Sequence, residues 1–144
     1  MNTEKKIVTA GIVDDDEIFT YGFKKLIINK ALFDEILTFA NGKEAIDFLK
    51  APENVHHLPD VLFVDINMPV MDGWEFNKAF EEIKSQLGKN IILYNISSSI
   101  DLDDIKRAKG NPLIADYILK PIDEAYLAGI AQSLQNPTDL KRYN

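Results

Sequence analysis

Apolar and polar positions follow two periods along this chain, and the switch between them repeats five times. Residues 7–13 are a compact apolar run of β type that ends in Asp14, Asp15 and Asp16. Residues 17–30 follow with Phe19, Phe23, Leu26 and Ile27 near helical spacing. Residues 35–40 read as a second strand, closed by Asn41-Gly42, and residues 43–50 as a brief helix burying Ala45, Ile46 and Leu49. After a polar loop bracketed by prolines (51–59), residues 61–64 are apolar at every position, which predicts a buried central strand. Residues 67–73 form a loop punctuated by Pro69 and Gly73. Residues 74–87 then place Phe76, Phe80, Ile83 and Leu87 on one helical stripe, stopped by Gly88. Strand 91–96, a weak and highly charged helix 102–109, strand 116–119 and helix 123–134 complete the pattern, before a polar tail at 135–144.

Strand–helix units repeated in this way predict an α/β protein. Its doubly wound parallel sheet has five strands, helices on both faces and right-handed crossovers. In such sheets the chemistry gathers at the carboxyl ends of the strands. The reactive residues fall there. Asp14, Asp15 and Asp16 follow the first strand, Asp65 the third, Ser97 the fourth, and Lys120 ends the fifth.

Composition narrows the class without changing the fold. The 144 residues are 46% hydrophobic and 27% charged, which suits one domain with a single core. No apolar run approaches the roughly 18 residues that span a bilayer. The lysines before residues 7–13 resemble a signal peptide only faintly, because three aspartates follow without a small-residue cleavage site. Cysteine is absent, so disulfides and thiolate metal sites are excluded, and a cytoplasmic location is the expectation. A net charge of −7, with basic residues scattered in pairs, argues against direct nucleic-acid binding.

Each strand-end residue has a bland reading when taken alone. Asp15 or Asp16 suits a helix cap, an aspartate after a strand suits a turn, and Ser97-Ser98-Ser99 suits a loop. Together they make a phosphoryl-transfer site. Carboxylates within about 4 Å repel by roughly 4 kcal/mol per pair at a surface-like dielectric. A hard divalent cation removes that penalty and neutralises an incoming phosphoryl group. Asp65 is then the nucleophile that forms an acyl phosphate, with Lys120 and the Ser97 hydroxyl on the phosphoryl oxygens. His56 and His57, beside Glu53 and Asp60, lack a helix or a further ligand and are read as loop residues.

The runs Ile12-Val13-Asp14-Asp15-Asp16, Val64-Asp65-Ile66-Asn67-Met68-Pro69-Val70-Met71-Asp72-Gly73 and Tyr117-Ile118-Leu119-Lys120-Pro121 resemble the receiver domains of two-component response regulators. The likeness extends to about Leu134. It implies the flavodoxin-like strand order 2-1-3-4-5 and a receiver domain over 1–134. By position, Asp65 is the implied phosphoacceptor, and Asp14, Asp15, Asp65 and the Asn67 backbone carbonyl are the implied ligands of Mg²⁺, or of Mn²⁺ in its place. Ser97 and Tyr117 match the switch pair, Lys120 matches the family's lysine, and Lys120-Pro121 is implied to be cis. Ser97 to Ser99 in place of the more usual Thr-Ala pair, and a long connection at 110–115, are departures from the family pattern.

The implied protein is a stand-alone signalling switch rather than an enzyme with turnover. Its implied partners are a histidine kinase or histidine phosphotransfer protein, a downstream target in trans, and a second copy when phosphorylated. The surface of the fourth helix, fifth strand and fifth helix is the implied output. A non-phosphorylated pseudo-receiver and an aspartate-nucleophile phosphatase are the alternatives.

Overall fold

A strand apolar at every position needs cover on both faces, and a parallel sheet flanked by helices supplies it. The computed structural model, which describes residues 6–135, has that architecture. Its elements are β1 (Thr9–Val13), α1 (Glu17–Lys30), β2 (Glu35–Phe39), α2 (Gly42–Lys50), β3 (Val61–Asp65), α3 (Gly73–Ile83), β4 (Ile92–Ser97), α4 (Leu102–Lys109), β5 (Ile114–Leu119) and α5 (Glu124–Gln135). The five strands are parallel in the order β2-β1-β3-β4-β5. The topological switch point lies between β1 and β3, so the acidic run after β1 and Asp65 at the end of β3 are neighbours. The predicted tail, 135–144, lies outside the described residues apart from Gln135.

Side-chain alternation along the strands feeds two cores. Val13, Val64, Leu93 and Tyr117 pack with Ala45 and Leu49 of α2, Phe76 and Phe80 of α3 and Ala108 of α4. Ala10, Ile12, Phe63 and Ile96 pack on the other face with Phe23 and Ile27 of α1 and Leu127 of α5. Phe63, Phe76 and Phe80 are fully or almost fully buried, each contributing roughly 1.5–3 kcal/mol. Among the described residues, no helix is long and apolar enough to cross a membrane.

Three elements, β1, β5 and α3, differ from the sequence pattern by two residues or more at one end. β1 begins at Thr9 rather than residue 7, directly after Val8, whose N–H donates to the Asp34 carboxylate at 2.8 Å rather than to a strand carbonyl. β5 begins at Ile114, which pairs with Leu93 before a bulge shifts the register to Tyr94 and Asp116. The third helix stops at Ile83, and a 3₁₀ turn at Lys84–Gln86 carries the chain onward. Gly88, at φ 70, takes the left-handed conformation beyond it.

Asp60, just before β3, ties the N-terminal ends of the strands, opposite their C-termini. Its buried carboxylate accepts the Thr9 N–H at 2.8 Å and lies 3.1 Å from Lys89 Nζ. The group is therefore engaged by the Thr9 N–H and Lys89, and among the described residues no metal-ligating cluster forms around His56 and His57.

Candidate functional site

Between Val13 and Glu17 a strand must end and a helix must begin, and the three aspartates divide that work. Asp16, in extended backbone, caps α1: its Oδ1 accepts the N–H groups of Ile18 and Phe19, each at 3.1 Å. That leaves Asp14 and Asp15 free of capping. Asp14 is buried while Asp15 is exposed. The Asp14 Oδ1 accepts the Asp16 N–H at 2.8 Å.

Asp65 ends the central strand with only 4% of its surface exposed. The Asn67 N–H donates to its Oδ1 at 3.3 Å, which turns the chain beside the carboxylate. Lys120 Nζ lies 2.7 Å from Asp14 Oδ2 and 3.6 Å from Asp65 Oδ2, so one ammonium faces two carboxylates. Burial, then the nearby Asp14 charge, push the Asp65 carboxyl from 3.8 up to about 6, against the opposing pull of Lys120 and the Asn67 N–H.

The Asp14 contact with Lys120 is short but lacks hydrogen-bond geometry, so Asp14 Oδ2 is a buried oxygen with no hydrogen-bond partner. Asp14, Asp15 and Asp65 each offer a carboxylate oxygen, all within 4.8 Å of one another. A hard, oxygen-seeking divalent cation fits this donor set.

The loop from Asp65 to α3 is held tightly. Gly73 donates its N–H to the Ile66 carbonyl at 2.8 Å. A Cβ there would stand 2.6 Å from Ile66 Cα and 2.8 Å from the Asp65 carbonyl oxygen. Asp72 and Glu75 form a reciprocal capping box at the start of α3. Val70 sits at φ 69 at the centre of a γ-turn closed by Met71 N–H on the Pro69 carbonyl at 2.7 Å, a strained conformation for a β-branched residue. Its side chain is 76% exposed, so little packing offsets the strain. Val70→Gly is expected to stabilise the protein by about 0.5–1 kcal/mol. Urea melts would show this as a higher midpoint at unchanged slope, and an unchanged midpoint would mean the turn is not strained.

Ser97 ends β4 fully buried, one position beyond Ile96, which is the register partner of Asp65. Its Oγ accepts the Ser99 N–H at 3.1 Å, while the inward, buried Tyr117 donates its hydroxyl to the Ser99 carbonyl at 3.1 Å. Ser97 and Tyr117 thus hold opposite ends of one residue in the β4–α4 loop. The Lys120 N–H donates to the Ser97 carbonyl at 2.8 Å, and Lys120-Pro121 is cis. Asp14, Asp15, Asp65, Asn67, Ser97, Tyr117 and Lys120 therefore converge on one end of the sheet, away from the loop that carries His56 and His57 before β3.

Two contacts were not anticipated from the sequence. Asn77 and Asn95 are buried and exchange amide hydrogen bonds of 2.9 and 3.1 Å between α3 and β4. The signal was present as an asparagine inside each apolar pattern. The second is Phe19, whose ring centroid lies 4.4 Å from Lys120 Nζ. Nothing in the sequence marks it, since the two residues are a hundred positions apart.

Residues 11–132 match the response regulator receiver domain family. An uncharacterized response regulatory protein of Vibrio cholerae is 30% identical over 129 residues, covering 88% of this chain and 44% of that protein. The sensor histidine kinase CheAY of Helicobacter pylori is 34% identical over 103 residues, covering 72% of this chain and 12% of that protein. The chain thus spans less than half the length of these two relatives. The crystal structure of a response regulator receiver protein from Dyadobacter fermentans superposes with a TM-score of 0.74 at 28% identity, covering 87% of this chain and 95% of that one.

Proposed function

The chain belongs to the response regulator receiver family, the phosphoacceptor switches of two-component signalling, and from that premise we propose that Asp65 takes a phosphoryl group from a histidine kinase or histidine phosphotransfer protein. The observation that carries this reading is the buried Asp65 carboxylate beside Asp14 and Lys120, with three carboxylate oxygens gathered within 4.8 Å. Asp14, Asp15, Asp65 and the Asn67 carbonyl would hold Mg²⁺, or Mn²⁺ in its place. Bound there, the ion would offset the carboxylate repulsion, keep Asp65 ionised and neutralise the phosphoryl oxygens.

The chain's own residues do the rest. Asp65 attacks phosphorus in line, the P–O bond to Asp65 forms as the bond to the donor's leaving group breaks, and the leaving group departs with the electron pair. Lys120, held between Asp14 and Asp65, balances charge that builds on the phosphoryl oxygens. The Ser97 hydroxyl proton is free to donate, because its Oγ only accepts from Ser99.

Turning Ser97 toward the phosphoryl group would loosen the Ser99 N–H, and with it the carbonyl that Tyr117 holds. The signal would thereby reach the α4–β5–α5 face. That face already presents Leu102, Leu119 and Tyr126, with Ile100 just before α4, as exposed apolar groups. We place the output partner there, acting in trans, with phosphorylation-dependent pairing of two copies as a second use of the surface. α4 buries only Ala108, so its local stability is low. Its amides are expected to change hydrogen-exchange protection on phosphorylation, and equal protection in both states would count heavily against this route.

The primary test is intact-mass spectrometry after incubation with a small phosphodonor, with Mg²⁺ or with chelator. A gain of one phosphoryl group only with Mg²⁺ is expected. No gain under any condition would support a pseudo-receiver, and sustained phosphate release from a phosphomonoester would support a phosphatase.

A further inference from the structure

Among the described residues, Lys120 is the lysine paired with both Asp14 and Asp65. A lysine has a flexible four-carbon stem and a strongly hydrated ammonium, so a third contact adds to what fixes its charge between the two carboxylates. A third neighbour is aromatic: the Phe19 ring centroid lies 4.4 Å from Nζ. That ring is itself well fixed. Its residue sits in the first turn of α1 with its N–H on the Asp16 carboxylate at 3.1 Å. It stacks on Phe23 at 5.8 Å and 19°, and Phe23 meets Phe63 edge-on at 5.3 Å. Phe63 lies on β3, two residues before Asp65. The ring is therefore referenced to the same strand that carries the phosphoacceptor.

An aromatic face attracts an ammonium through its quadrupole but accepts none of its protons in a strong hydrogen bond. We propose that Phe19 is a positioning residue for phosphoryl transfer: its ring holds the Lys120 ammonium over the Asp14 and Asp65 carboxylates while leaving the N–H groups free for the phosphoryl oxygens. A third carboxylate in that position would restrain the ammonium too, but it would compete for those protons and add negative charge to the site. Asp16 then serves the site at one remove, since its cap sets the first turn of α1 and with it the ring. The inference rests on the phosphoacceptor reading above.

The test compares wild type, Phe19→Leu, Phe19→Tyr and a protein carrying pentafluorophenylalanine at position 19, each with and without Lys120→Gln. The rate of Mg²⁺-dependent phosphorylation by a small phosphodonor is read by intact mass. Phe19→Leu and the fluorinated ring, which keeps the shape but not the negative face, are expected to slow the reaction by about five- to thirtyfold. Phe19→Tyr, which keeps the face, restores the rate to within about twofold. In the Lys120→Gln background none of these changes slows it further. A second readout needs no cation: the Lys120 side-chain protons of the metal-free protein are shifted upfield by the ring current, and Phe19→Leu removes that shift. A fluorinated protein as fast as wild type would overturn the proposal, as would equal slowing by Phe19→Leu with and without Lys120. No phosphoryl gain in the wild type would overturn the phosphoacceptor reading itself, and this inference with it.

Discussion

Asp65→Asn is expected to abolish phosphoryl uptake and, in chelator at pH 7.5, to leave the protein about 1–2 kcal/mol more stable than wild type. The first effect follows from chemistry, because the amide lacks a carboxylate nucleophile. The second follows from the site's electrostatics. Burial and the neighbouring Asp14 charge raise the Asp65 carboxyl from 3.8 to about 6, so the folded state binds its proton more tightly than the unfolded chain does. Stability from this group therefore falls as pH rises from about 4 to about 6, and the penalty is complete above that window. The neutral amide carries no such penalty. The expected difference between variant and wild type shrinks toward zero as pH falls from 7.5 to about 4.5. Mg²⁺ added at pH 7.5 is expected to stabilise the wild type more than the variant. Denaturant melts at the two pH values, repeated with Mg²⁺ at pH 7.5, check the three stability statements, and intact mass checks the loss of uptake. A variant no more stable at pH 7.5 would mean that burial and the Asp14 charge do not penalise the ionised Asp65.

Gly73→Ala is expected to destabilise the fold by about 2–3 kcal/mol and to slow phosphorylation in the molecules that remain folded. The added Cβ would approach Ile66 Cα to 2.6 Å and the Asp65 carbonyl oxygen to 2.8 Å. Both are backbone atoms, so no side-chain rotation relieves the clash. Either α3 lifts off its capping box at Asp72 or the turn after Asp65 shifts, and the second displaces the phosphoacceptor from Asp14 and Lys120. Melting and phosphorylation measured on one preparation check both effects. Wild-type stability with unaltered uptake would show that the loop adjusts freely, and that the glycine answers to another demand.

The two variants bear differently on what the sequence made visible. Asp65 stood out because a lone acid at the end of an apolar strand, followed by Asn67-Met68-Pro69, has a definite meaning beside Asp14, Asp15, Ser97 and Lys120. Gly73 read only as punctuation between loop and helix. Its real constraint, contact with the backbone of residues 65 and 66, depends on how closely α3 approaches β3. The sequence pattern left the cap of α1 to Asp15 or Asp16, and the structure gives it to Asp16, whose carboxylate accepts the Ile18 and Phe19 N–H groups.

Local pattern along the chain was enough for the alternation of strands and helices, the parallel sheet, and the polar side chains that stand at the strand C-termini. Those are consequences of local periodicity and of the rule that places chemistry at strand ends. The strand order and the receiver family followed from the resemblance carried by three short runs of residues. Tertiary structure alone decided the rest. It left Asp14 Oδ2 without a hydrogen bond, set one ammonium against two carboxylates, tied Ser97 and Tyr117 to the same residue, paired Asn77 with Asn95, and laid Phe19 over Lys120. Each of these joins positions on separate elements. Periodicity repeats over a few residues, whereas such contacts depend on how whole strands and helices pack, and no single segment encodes that.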